Sequence, residues 1–162
     1  MELLKPIHPI AFLEPPYSMI ERKVEEELLG YCQQNDMGVV VYSPLQQGLL
    51  TGAIKSFDDL APVDYRRGNP HFKEPEFSAN LKLARELAPI AKKYGRSLAQ
   101  LAIAWVLRRP EVTSAITGPR VPSEIEDTIK AGEWELTKED IAAIEKLLVK
   151  RQETLISAQT KL

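Results

Sequence analysis

Residues 38–44 read Gly-Val-Val-Val-Tyr-Ser-Pro. Three consecutive valines are stiff at χ1 and suit a pleated, extended backbone better than a helix. No polar residue interrupts them, which is the pattern of a strand covered on both faces, as in a parallel sheet. Pro44 closes the run, because proline cannot donate to a sheet ladder. The sequence therefore predicts a buried strand over 38–42.

Upstream, Ile10–Leu13 is a shorter apolar run stopped by Pro15 and Pro16. Val24, Leu28, Tyr31 and Cys32 then recur at helical spacing, predicting a helix between two strands. Downstream, a connection from Thr51 to about Phe77 is rich in Pro, Asp, Arg and aromatics, and structureless stretches of that length are usually functional or disordered. Leu83, Leu87, Ile90, Ala91 and Tyr94 share a helix face, with a kink expected at Pro89 and a stop at Gly95. Ser97 with Gln100 reads as a capping box for LAQLAIAWVL, a helix apolar nearly all round and so deeply buried. Ser114–Thr117 is a third strand broken by Gly118. Ser123 with Glu126 and Thr137 with Asp140 read as further capping boxes. The last helix turns Ile141, Ile144, Leu147 and Leu148 inward and is expected to fray into a polar tail over 151–162.

Strands alternating with helices predict an α/β protein with a parallel sheet. The division is one unit over 1–150 and the tail over 151–162, with no linker between. Three strands leave two unpaired edges, which natural proteins avoid. The chain reads as part of something larger.

Composition limits the function. The 162 residues are 44% hydrophobic and 27% charged with a formal net charge of −2, and no basic stripe runs along them. Nucleic-acid binding is not expected. Cys32 is the only cysteine, so no internal disulfide forms, which fits a reducing compartment. MELLKPIHPI lacks the basic start and long apolar run of a signal peptide, and no stretch approaches the roughly 20 apolar residues of a membrane span. A cytoplasmic location follows as the default expectation. His8 and His71 are isolated, so no metal site is expected.

Two motifs carry a family resemblance. Tyr42-Ser43-Pro44-Leu45, continuing QQGLLTG, resembles the end of the seventh barrel strand in aldo-keto reductases. Ile116-Thr117-Gly118-Pro119-Arg120, leading into SEIEDTI, resembles their eighth strand and the helix after it. RRGNPHF, NLKLARELAPIAKKYG and SLAQLAIAWVL follow the family's order between them, and HPIAFLEPPYSMIER upstream resembles its sixth strand. The resemblance runs from about His8 to Leu148. It implies the C-terminal part of a (β/α)8 barrel, a partial barrel of about three parallel strands with surrounding helices. It also implies a parent reaction: reduction of aldehydes and ketones by hydride from NADPH. The family's catalytic Asp, Tyr, Lys and His come from the first four strands, and no stretch here resembles those strand ends. The resemblance thus implies no catalytic residue and no turnover by this chain alone.

It does imply cofactor contacts. Tyr42 falls where the family stacks a ring on nicotinamide, and a rigid aromatic suits that task; the plainer alternative is a tyrosine packed under a loop. Ser43, Leu45 and Gly48 fall along the pyrophosphate, Gly48 letting backbone approach phosphate, and Pro44 and Leu50 fall among the cofactor contacts beside them. Arg66 or Arg67 is a candidate cation, against ordinary solvated loop arginines. Gly118, Arg120, Glu124, Asp127 and Thr128 align with positions that hold the adenosine half. Arg120 beside a helix start suits a 2′-phosphate, favouring NADP over NAD. Departures occur where relatives carry other residues: Glu14 and Glu124 for Gln, Asp127 for Glu, Thr128 for Asn, Ala53 for Lys. Glu14 can accept from the carboxamide NH2 but, ionised, cannot donate.

Three functions stay open on these residues. The chain is part of a carbonyl reductase, or a cofactor-binding or regulatory module without chemistry, or a half-barrel that pairs with itself or with a complementary half.

Overall fold

A computed structural model describes Leu3 and residues 6–160. The first residues of MELLKPIHPI and the last two of the tail lie largely outside them. Strands β1 (Phe12–Leu13), β2 (Gly38–Tyr42) and β3 (Ser114–Ile116) form one parallel sheet in the order β1-β2-β3. The valine strand is central, as its composition demands, and β1 and β3 are the edges. The register pairs Phe12 with Gly38, Val40 with Ser114 and Tyr42 with Ile116.

Paired residues of a parallel sheet share a face, and successive residues alternate. Leu13, Val39, Val41 and Ala115 therefore point one way, into a core with Trp105, Leu101, Val106 and Ile144. Phe12, Tyr42 and Ile116 point the other way and are 54%, 41% and 44% exposed. The expectation that β2 is covered on both faces is corrected here: Val39 and Val41 are sealed, while Tyr42 stands open. Helices cover one face, and no described residue fills the other.

The helices are α1 (Leu28–Gln34), α2 (Glu76–Lys93), α3 (Leu98–Leu107), α4 (Pro122–Thr128) and α5 (Lys138–Gln159). The helix read over 24–32 is two pieces, a 3-10 turn at Lys23–Glu25 and then α1. The break shifts the helical phase, so Leu29 is buried and Leu28 is partly exposed. α2 contains Pro89 and ends where expected: Gly95, at φ +63, donates to Lys92 O (3.0 Å), and Arg96 N donates to Ala91 O (3.1 Å). The Ser97 hydroxyl caps α3 by accepting from Gln100 N at 3.1 Å. Gln100 does not return the bond; its side chain turns to Asp127. Thr137 caps α5 as expected, but Ser123 caps nothing, because α4 begins one residue earlier at Pro122 with Val121 before it.

Two long segments differ from their reading. The 51–77 connection is ordered into three 3-10 turns, at Phe57–Asp59, Tyr65–Gly68 and Pro70–Phe72. Leu49, Ile54, Leu60, Phe72, Phe77 and Leu81 give it a small core of its own. The tail does not fray at 151, since α5 continues to Gln159. Leu155 is buried, and Arg151 Nε donates to the Oδ1 of fully buried Asn80 at 2.7 Å. That bond satisfies a polar group which burial would otherwise leave costly. No helix of the described residues is long and apolar enough to cross a membrane.

Candidate functional site at the carboxyl ends of the strands

Parallel strands put their carboxyl ends on one side of a sheet, where α/β proteins build their sites. Glu14 follows β1, Tyr42 ends β2 and Ser43 follows it, and Gly118 lies two residues past β3. The topology thus brings together at one rim residues spread over more than a hundred positions. Tyr42 is fixed there by its backbone: its N–H donates to Pro15 O at 3.0 Å and its carbonyl accepts from Tyr17 N at 3.2 Å. Its ring stands on the open face. Glu14 is exposed.

The turn after β2 is the most unusual backbone in the chain. Ser43, Gln46, Gln47 and Gly48 have φ of +57°, +45°, +54° and +99°. Left-handed conformations cost side-chain-bearing residues energy and persist only where surroundings hold them. Here Ser18 Oγ donates to Gln46 Oε1 at 2.8 Å, both side chains buried. Asn69 Nδ2 donates to Gln47 Oε1 at 3.2 Å, and Arg66 Nη1 to Gln47 O at 3.0 Å. Leu45 O accepts from both Gly48 N and Leu50 N.

The predicted cofactor contacts of this turn divide in consequence. Gly48 owes its identity to its φ: a Cβ there would also lie 3.4 Å from Ile54 Cδ1 and 3.5 Å from Arg66 Nη1. Those are ordinary packing distances, so it is the positive φ that a side chain would strain. Leu50 is wholly buried in the main core and Pro44 is buried, so their side chains do not reach the rim. Leu45 is half-buried and packs on the core. Arg66 and Arg67 are committed to structure. Arg66 grips Asp64 through Nε and Nη2, and its bonds hold the Asp64 carboxyl down to about 2. Arg67 Nη2 donates to Leu60 O at 2.6 Å.

The second segment follows β3. Gly118 is exposed and the Arg120 side chain is 83% exposed. Glu124 Oε2 accepts from Arg120 N at 2.6 Å, and Oε1 lies 3.6 Å from Arg120 Nη2. The carboxylate therefore stands where an anion bound to Arg120 would come. Thr128 donates its hydroxyl back to Glu124 O at 2.7 Å. Asp127 faces the other way: Oδ2 accepts from Ser97 Oγ at 2.6 Å and Oδ1 from Gln100 Nε2 at 2.8 Å. Sequence reading missed the supports Ser18, Gln46 and Asn69, and took Ser97 and Gln100 only as a helix cap. Their partners lie 22 to 30 residues away, and no local pattern signals them. Among the described residues, no three His, Cys, Asp or Glu side chains cluster as metal ligands.

The family model for the aldo/keto reductases matches residues 1–149. The chain belongs to the aldo/keto reductase family. This aldo/keto reductase chain is 32% identical over 149 residues to aldo-keto reductase YhdN of Bacillus subtilis, covering 91% of itself and 45% of that protein. It is 31% identical over 119 residues to the NADH-specific methylglyoxal reductase of Escherichia coli, covering 74% of itself and 36% of that protein. The solved glycerol dehydrogenase of Gluconobacter oxydans superposes with a TM-score of 0.86 at 30% identity, over 93% of this chain and 46% of that one. The chain spans less than half the length of the relatives it matches. Its three parallel strands and their helices are a partial (β/α) barrel.

Proposed function

We propose that this aldo/keto reductase chain supplies strands six to eight of a barrel that reduces aldehydes or ketones with NADPH, holding cofactor without the catalytic tetrad. The observation that supports it most is the Tyr42 ring, which is backbone-locked at the end of the central strand and open on the face a barrel encloses. The fit is good at the rim. Tyr42 offers a flat surface for a nicotinamide ring, and the braced 43–50 turn offers backbone for a pyrophosphate. Gly118 and the exposed Arg120 offer room and charge-assisted donors for a 2′-phosphate. The bound cofactor supplies the hydride; this chain's residues orient the ring that carries it and fix its phosphates. Glu14 accepts from the carboxamide. The NADH-specific relative makes cofactor choice the sharpest question, and Arg120 favours NADPH. The buried free thiol of Cys32 fits a reducing compartment such as the cytoplasm.

The test follows NADPH binding by quenching of protein fluorescence. The chain is expected to bind NADPH, and Tyr42→Ala to weaken it by roughly fivefold or more, the value of one aromatic stacking contact. With a reactive aromatic aldehyde no turnover is expected, since proton donation alone contributes about 10²–10⁴-fold to such reactions. Turnover on the order of 1 s⁻¹ would show that a residue of this chain serves as the acid.

A second reading rests on the open face. Phe12, Tyr42 and Ile116 are exposed on a sheet with two free edges, so the chain associates through it, with a complementary half or with a second copy.

A further inference from the structure

The family resemblance aligns Asp127 with the adenosine half, where a carboxylate accepts from the adenine amino group, yet its carboxylate is turned inward onto the start of α3. The Ser97 hydroxyl donates to Oδ2 at 2.6 Å while accepting from Gln100 N at 3.1 Å, so one hydroxyl both caps α3 and holds α4. Gln100, only 3% exposed, spends its side-chain NH2 on Asp127 Oδ1 and Asp127 O, each at 2.8 Å. Gln100 Oε1 is left without a partner among the described residues. Leaving a buried amide oxygen unpaired is costly, so the orientation is dictated by the carboxylate. Helix α3 also packs against the 46–51 segment that carries the strained turn. Helix α3 thus touches both segments that line the rim.

We propose that Asp127 is a positioning residue: it pins α4 to the amino end of α3, and so sets the spacing between the 43–50 turn and Arg120, without reading the adenine amino group. This rests on the cofactor reading above. An aspartate is one methylene shorter than the glutamate of relatives, and here that shorter arm reaches α3. The site therefore accepts any purine of similar shape.

The test compares NADPH with its reduced hypoxanthine analogue, in which a carbonyl oxygen replaces the amino group. The chain is expected to bind both equally, and Asp127→Ala to weaken both by the same factor, roughly tenfold for loss of charge-assisted bonds. Ser97→Ala is expected to weaken both in parallel, and the double variant by less than the product of the two single losses, because the bond the two side chains share is lost only once. A preference for NADPH over the analogue that Asp127→Ala erases would overturn the proposal. So would strictly additive losses. If Asp127→Ala fails to fold, Ser97→Ala alone carries the comparison of the two dinucleotides. If the unmutated chain binds neither, the cofactor reading falls and amide exchange decides the clamp. Faster exchange over residues 123–128 in Ser97→Ala, with a double variant that falls short of the two single gains combined, sustains it. Unchanged exchange ends it.

Discussion

Arg66 Nη1 donates to the carbonyl of Gln47 across 3.0 Å and 19 residues. Gln47 sits at φ +54°, a conformation an isolated turn would leave. The same guanidinium grips Asp64, which positions it, and its Cζ lies 6.0 Å from the Phe72 ring centre in the small second core. A loop arginine thus holds the shape of the turn that follows the central strand.

Arg66→Leu should therefore release the turn. The expected loss is about 1–3 kcal/mol, that of hydrogen bonds to a charged group with one carbonyl left unpaired. Chemical denaturation reads the stability, and NADPH binding should weaken alongside it. Full stability with full binding would show that the turn holds itself.

On the proposed reading, cofactor choice hangs on Arg120 and Glu124. Arg120→Ala is expected to erase most of a preference for NADPH over NADH. Glu124→Gln should raise NADPH affinity, because the carboxylate beside Arg120 repels a 2′-phosphate. The gain at so exposed a pair is about 0.2–1 kcal/mol, up to roughly fivefold, and it shrinks with added salt. Equal binding of the two cofactors by the unmutated chain would count against Arg120.

Acid should unfold the chain within a definite window. Burial pushes the Glu25 carboxyl up, but bonds from Arg22 and Tyr17 and the charge of Arg108 outweigh it, leaving it below its ordinary 4.5. Asp140 behaves likewise: burial raises it, and bonds from Tyr94, Thr137 and Lys93 bring it below 3.8. A carboxyl lowered on folding adds stability that is present above its unfolded pKa and lost as pH falls through the folded one. Thermal melts should hold from neutral pH to about pH 4.5 and then fall steadily toward pH 2. Glu25→Gln should lower the neutral-pH melting temperature and flatten that fall. A melting temperature constant down to pH 2 would remove these pairs from the account.

The open sheet face should make the chain associate. Phe12 and Ile116 stand exposed on β1 and β3, and Val121, Ile125 and Ile129 are exposed on and beside α4. Free strand edges and apolar patches together favour pairing. Light scattering at micromolar concentration is expected to show dimers or larger species, reduced in Phe12→Ser and Ile116→Thr. A monodisperse monomer with a cooperative melt would show that three strands suffice.

Much of this protein was legible in its sequence because the signals are local. Three valines in a row dictate a strand, Gly95 an αL stop, and Ser97 and Thr137 helix caps; each depends on neighbours within a few residues. Tyr42 and Arg120 announced themselves through motifs, and both stand exposed. What escaped depends on long-range pairing. Leu50 lies within a site motif but is sealed in the core. Residues 151–159 look like a polar tail, yet they form helix because Arg151 finds Asn80 across the α2–α5 contact. Asp127 could be aligned with an adenine contact, but only the packing of α4 against α3 decides that its carboxylate faces Ser97 and Gln100. Period and propensity fix what a segment becomes. Which way a polar side chain turns is settled by the partner that satisfies it, and that partner arrives only with the fold.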